Sequence, residues 1–163
     1  MFERMGLPIP SDAARIARET QFNALIQCNA AFPGAQEVVK ALFDSGHRIQ
    51  IASGQESEYL VAALRGAGLE KYIESKFGPD LIDCAKEGPE YYSRIFEATG
   101  VRAQDAVVVD DWPPAITWAL QTGARVIQSK LSRERHFETV QGVAAILTDL
   151  RALPDEIEHL YRM

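Results

Sequence analysis

Hydrophobic positions recur with two different periods along this chain. Between Asp12 and Ala30, the residues Ile16, Phe22, Leu25, Ile26 and Ala30 fall at approximately helical spacing. Ser11 suits the N-cap and Asp12 the first turn, so residues 12–30 are predicted as one amphipathic helix, stopped by Pro33-Gly34. From there helices and strands alternate. Residues 35–45 read as a helix with Val38, Val39, Leu42 and Phe43 inward, and residues 47–52 as a short strand running into Ser53-Gly54. A helix over 56–66 closes at Gly66 and Gly68, a weaker strand is expected around Lys76-Phe77 and Leu81-Ile82, and a helix over 88–99 ends at Gly100. Ala106-Val107-Val108-Val109 is the clearest strand, because a continuous β-branched run marks a strand buried on both faces of a sheet. A helix over 113–122, a strand over 124–128, a last strand over 144–148 and a terminal helix from about Asp155 complete the pattern. Strands separated by helices imply βαβ crossovers, hence an α/β fold with a mainly parallel sheet. The break at Pro33-Gly34 separates a lone helix, residues 1–32, from an α/β region, residues 33–163.

Composition narrows the functional classes. The chain has 163 residues, enough for one domain with a hydrophobic core, and 47% of them are apolar and 25% charged. A formal charge of −6 argues against a general nucleic-acid binder, which needs clustered Lys and Arg. Cys28 and Cys84 make no disulfide framework. The start Met1-Phe2-Glu3-Arg4 lacks the layout of a signal peptide, and no apolar run nears the roughly 20 residues that cross a bilayer. A cytoplasmic protein without membrane or nucleic-acid partners is expected.

In open α/β sheets the ligand site lies beyond the carboxyl ends of the strands. Two such ends carry polar residues here: Ser53, and the pair Asp110-Asp111. Two adjacent carboxylates at a buried strand end repel one another and lose hydration, and a hard cation such as Mg²⁺ relieves both costs. The plainer use is helix capping, for which Pro113-Pro114 suit the first turn. Ser53 with Gly54 can offer a hydroxyl and a bare N–H to a phosphate at a helix N-terminus, or merely cap that helix. Lys86, just before the helix at 88–99, taken alone reads as a solvated surface charge.

Together, these residues resemble the second, third and fourth motifs of the haloacid dehalogenase-type (HAD) hydrolases. The similarity is to the subgroup containing beta-phosphoglucomutase and phosphoglycolate phosphatase. Pro33-Gly34-Ala35 resembles the re-entry from cap to core, and Ile51-Ala52-Ser53 the serine or threonine motif. Lys86-Glu87-Gly88-Pro89-Glu90-Tyr91-Tyr92 is similar to the subgroup's Lys-Pro-x-Pro-[Asp/Glu]-x-[Phe/Tyr] signature, with Glu87 in place of the first proline. Val109-Asp110-Asp111 with Gly123-Ala124 downstream resembles its acidic-pair strand and following helix, although Trp112-Pro113-Pro114 replaces the usual small polar residues. Trp112 is expected to pack against the core rather than to alter access. The resemblance implies a three-layer, Rossmann-like core and Mg²⁺-dependent hydrolysis of a small phosphorylated metabolite. It implies that Ser53, with Gly54, binds a phosphoryl oxygen, that Lys86 neutralises charge on nucleophile and phosphoryl group, and that Asp110 and Asp111 hold Mg²⁺.

The family's first motif, Asp-x-Asp-Gly-[Thr/Val], supplies the nucleophile and the general acid/base, and no segment of this sequence matches it. Upstream of Pro33 the one aspartate is Asp12, with no strand before it. The expectation is therefore a chain that begins inside a helical cap, of which residues 1–32 are the remnant. Its sheet would lack the first, central strand, leaving two strands with unpaired backbone groups. Phosphatase activity is expected to be absent. The alternative is a non-catalytic interaction module completed by a partner strand or by self-association. A receiver domain would place its acidic pair first in the chain. A dinucleotide-binding fold would need Gly-x-Gly-x-x-Gly, which Ser53-Gly54-Gln55-Glu56-Ser57 does not supply.

Overall fold

A computed structural model describes residues 12–132 and 137–162, so the expected lead-in and the Ser11 cap lie outside the described residues. Helix α1 is Ala13–Gln27, slightly shorter than its apolar pattern. It lies against α3 (Ser57–Gly66), and none of its residues is buried. A Cβ on Gly66 would stand 2.2 Å from the Leu25 carbonyl oxygen and 2.5 Å from that of Cys28, so this crossing requires glycine. Helix α2 (Ala35–Asp44) buries Ala35, Val38 and Leu42 on one stripe.

The strands are all parallel where they pair. Strand β1 (Gln50–Ala52) pairs with β2 (Ser75–Phe77), Ile51 opposite Lys76. Strand β3 (Val107–Asp110) pairs with β4 (Arg125–Ser129), Val108 opposite Val126. Strand β5 (Ala145–Leu147) lies on the far side of β4. Leu81-Ile82, expected to be strand, instead end the short helix α4 (Pro79–Ile82), because Pro79 is pre-set for a first helical turn. Helices α5 (Pro89–Thr99) and α6 (Pro113–Gln121) also begin on proline. The last helix, α7, is Leu153–Arg162 and starts earlier than expected, on a turn whose Arg151 N–H donates to the Asp149 carboxylate.

Helices cover both faces, giving the three layers expected of the α/β class. On one side Tyr91, Tyr92 and Ile95 of α5 join Ala115, Ile116 and Ala119 of α6 over Phe77 and Val126. On the other, Val38 and Leu42 of α2 meet Leu153, Ile157 and Leu160 of α7 over Ile127 and Leu147. Gln128 is the one buried polar residue among those described. Its Nε2 donates to the Glu138 carbonyl at 2.8 Å and its Oε1 accepts from Val140 N at 2.9 Å, which ties the segment beginning at Phe137 to β4. No described helix is long and apolar enough to cross a membrane.

The sheet is in two parts, β2-β1 and β3-β4-β5, and no described strand hydrogen-bonds β1 to β3. The Ile49 carbonyl accepts from Glu74 N and Ser53 N donates to the Phe77 carbonyl. Main-chain groups of successive strand residues point to alternate sides, so those of Gln50 and Ala52 face away from β2, toward β3. The Ala106 carbonyl accepts from Arg125 N, which likewise turns the groups of Val107 and Val109 toward β1. A cleft of about 440 Å³ lies between the two edges, floored by Tyr92, Ile95 and Phe96 of α5 and bounded by His47, Asp105 and Tyr161 at the strands' amino ends. This accounts for a difference from the sequence pattern. The most apolar run, Val107–Val109, is only partly buried, with Val109 38% exposed, whereas Val126 and Ile127 of β4, flanked on both sides, are fully buried.

Candidate active site

The carboxyl ends of β1 and β3 meet at the head of this cleft. Ser53 follows β1, fixed by its N–H on the Phe77 carbonyl at 3.0 Å and by its own carbonyl, which accepts from the Tyr91 hydroxyl at 2.7 Å. Its Oγ accepts from Gln55 N at 3.1 Å, a local turn contact. Gly54 sits beside the lysine loop, where an added Cβ would lie 3.9 Å from Lys86 Cβ, so no steric need for glycine arises there. Helix α3 begins only at Ser57, whose N–H and hydroxyl both donate to the Asp80 carboxylate. These bonds hold the Asp80 carboxyl below the usual carboxylate range and occupy the first donor of that helix.

Lys86 is placed by bracing on both sides of its loop. Before it, Asp83 takes a left-handed conformation at φ 48°, and Arg94 of α5 donates to the Ile82 and Asp83 carbonyls at 3.0 and 2.8 Å. After it, Pro89 opens α5. The lysine Nζ reaches 2.7 Å from Asp110 Oδ2 and 3.4 Å from the Ala52 carbonyl, bridging the ends of β3 and β1. Both side chains of the ion pair are largely buried, 13% and 12% exposed. The Tyr92 hydroxyl donates to the same Oδ2 at 3.2 Å, its ring lies 5.6 Å from Nζ, and Trp112 N donates to Oδ1 at 2.9 Å. Burial, and then the neighbouring Asp110 charge, push the Tyr92 phenol strongly upward, so it remains a donor.

Gly54, Lys86, Asp110, Asp111, Trp112 and Phe137 line one open depression of about 460 Å³, with Ser53 immediately before Gly54. The five residues singled out from sequence thus lie around one end of the sheet. As a metal site they are incomplete. Two adjacent carboxylates have the hard oxygens that Mg²⁺ takes, but Asp110 already accepts from Lys86, Tyr92 and Trp112. Among the described residues, no group of three or more His, Cys, Asp or Glu could hold a metal ion.

Sequence reasoning met Tyr91 and Tyr92 as part of the lysine signature but gave them no role, and it did not single out Arg94 or Phe137. Two successive tyrosines on an otherwise core-facing helix were the available signal, since buried tyrosines need partners for their hydroxyls. The Tyr91 hydroxyl is also 2.9 Å from the Phe77 carbonyl, so it joins both strand ends to α5. Burial pushes its phenol up to about 12. A folded-state value above the unfolded one, near 10, means that this stability is complete below pH 10 and is lost as pH rises toward 12. Tyr91→Phe should lower stability at neutral pH by about 1–2 kcal/mol and make its decline between pH 10 and 12 shallower, as read from urea midpoints. A variant with the same alkaline slope as the parent would contradict this role.

The model of the haloacid dehalogenase-like hydrolases matches residues 5–121, most of the chain. The chain belongs to the haloacid dehalogenase-like hydrolase family. It is 26% identical to a phosphoglycolate phosphatase of Rhodospirillum rubrum over 126 residues, which are 77% of this chain and 52% of that protein. It is 22% identical to the pyrophosphatase PpaX of Listeria monocytogenes over 80 residues, 49% of this chain and 37% of that one. The chain spans about half the length, or less, of these curated relatives. Among solved structures, a HAD-family hydrolase of Deinococcus radiodurans with bound phosphate and sodium superposes with a TM-score of 0.74 at 24% identity, covering 98% of this chain and 72% of that one. The L-2-haloacid dehalogenase of Xanthobacter autotrophicus gives a TM-score of 0.74 at 18% identity, covering 97% and 71%. These likenesses establish the fold.

Proposed function

We propose that this chain carries the phosphate-facing part of a Mg²⁺-dependent phosphatase site for a small phosphorylated metabolite, without the nucleophile. The observation that carries the reading is the buried Lys86–Asp110 pair spanning the carboxyl ends of β1 and β3. A cation fixed there lines the open depression, and the Ala52 and Asp110 oxygens that it bridges belong to residues lining the cleft. Phosphoryl transfer is mostly positioning and charge stabilisation. The Ser53 hydroxyl and Gly54 N–H hold a phosphoryl oxygen and Lys86 neutralises its charge. Asp110 and Asp111 would supply two of the ligands of Mg²⁺, too few to hold it tightly without the missing first motif, and the ion would add charge neutralisation when bound. The names of the curated relatives, a phosphoglycolate phosphatase and a pyrophosphatase, favour phosphate over halide chemistry. Residues 33–163 form the core in this reading, and residues 1–32 are a remnant of the cap, in keeping with a helix α1 that has no buried residue.

Because the sequence holds no Asp-x-Asp motif, the pure chain turns over no phosphate ester. Incubation with p-nitrophenyl phosphate and Mg²⁺ should release no nitrophenol above a blank. Steady turnover that Asp111→Ala abolishes would overturn the inactive reading.

The cleft favours a second reading. Two facing strand edges that no described strand joins, lined in part by apolar side chains, suit an added parallel strand, whose main-chain bonds would supply much of the affinity. As an interaction module the chain would pair with a partner strand or with itself. Sedimentation of the pure chain should then show self-association that deepens with concentration. A strictly monomeric chain that unfolds cooperatively would count against self-pairing.

A further inference from the structure

We infer that the depression beside Lys86 takes a phosphate monoester whose alcohol portion is flat and aromatic. The inference rests on the phosphate reading above and adds the substrate class. Trp112 follows the acidic pair directly and is 41% exposed, although a large aromatic side chain has much to gain from burial. It is not loose. Its main-chain N–H is held by Asp110 Oδ1 at 2.9 Å, and its ring meets Trp118 edge-on, with centroids 5.3 Å apart and planes at 85°. Trp118 packs against the core formed by α5 and α6, so the exposed indole is braced from behind. Phe137 lines the same depression, on the segment that Gln128 ties to β4.

The depression therefore combines a cation, the acidic pair and two aromatic side chains within about 460 Å³. This combination matches a ligand that is charged at one end and planar at the other. A pre-positioned ring loses little freedom when a second ring packs on it, and such pairs contribute about 0.5–1.5 kcal/mol beyond area burial. A surface tryptophan kept only for core packing would turn its ring inward and leave the phosphate site indifferent to the alcohol.

The test is binding rather than turnover, read by calorimetry with the full chain and Mg²⁺. Inorganic phosphate, phenyl phosphate and cyclohexyl phosphate, which is of similar size but not planar, are compared. Phenyl phosphate is expected to bind about three- to tenfold more tightly than cyclohexyl phosphate. Trp112→Ala should remove that preference with inorganic phosphate affinity unchanged, and Trp112→Phe should retain most of it. Equal binding of the two esters, or a preference that survives Trp112→Ala, overturns the inference and leaves the phosphate reading standing. Failure of inorganic phosphate to bind overturns the phosphate reading and this inference with it.

Discussion

Replacing Asp110 with alanine is expected to destabilise the chain by about 3–5 kcal/mol, the cost of stranding one member of a buried ion pair. Among the described residues, Lys86 would keep the Ala52 carbonyl at 3.4 Å and the face of Tyr92, too little to replace lost hydration. The same change removes the acceptor of the Tyr92 hydroxyl and of Trp112 N. Lys86→Met should cost less, because Asp110 keeps those two donors. A double substitution, Lys86→Met with Asp110→Leu, should recover part of the loss, since no unpaired charge remains. Urea unfolding of the four proteins separates these outcomes. Losses below about 1 kcal/mol, screened by salt, would mean that the pair behaves as a surface contact.

Much of this arrangement was legible in the sequence, for identifiable reasons. Helices α2, α3, α5 and α6 declare themselves through apolar stripes bounded by proline and glycine, signals that act within a few residues. Strands β3 and β4 are visible as β-branched runs. Leu81-Ile82 misled because a two-residue apolar pair has no period, and Pro79 decided in favour of a helical turn. The relative burial of β3 and β4 was not legible at all. It depends on which strand has neighbours on both sides, a property of the sheet and not of the run Val107–Val109.

The site shows the same division. Ser53, Gly54, Lys86, Asp110 and Asp111 could be picked out because strand ends and loop position locate them. That Asp110 is the counter-ion of Lys86 could not be read, since the two are 24 positions apart and meet only through the fold. Nor could the sharing of Asp110 with Tyr92, or the bracing of the lysine loop by Arg94, which depend on the direction each side chain takes from α5. For Trp112, packing against the core was the expectation. The structure gives it both a packed edge, on Trp118, and an exposed remainder.

The central claim is that β1 and β3 present facing edges with no described strand between them, and hydrogen exchange of individual amides tests it most directly. The N–H groups of Ile51 and Val108 point into the β1–β2 and β3–β4 ladders and should exchange slowly. Those of Gln50, Ala52, Val107 and Val109 point into the cleft and should exchange about a hundredfold faster or more, alternating with their protected neighbours. Uniformly slow exchange along both strands would contradict the account, because it would mean that another strand already occupies the cleft.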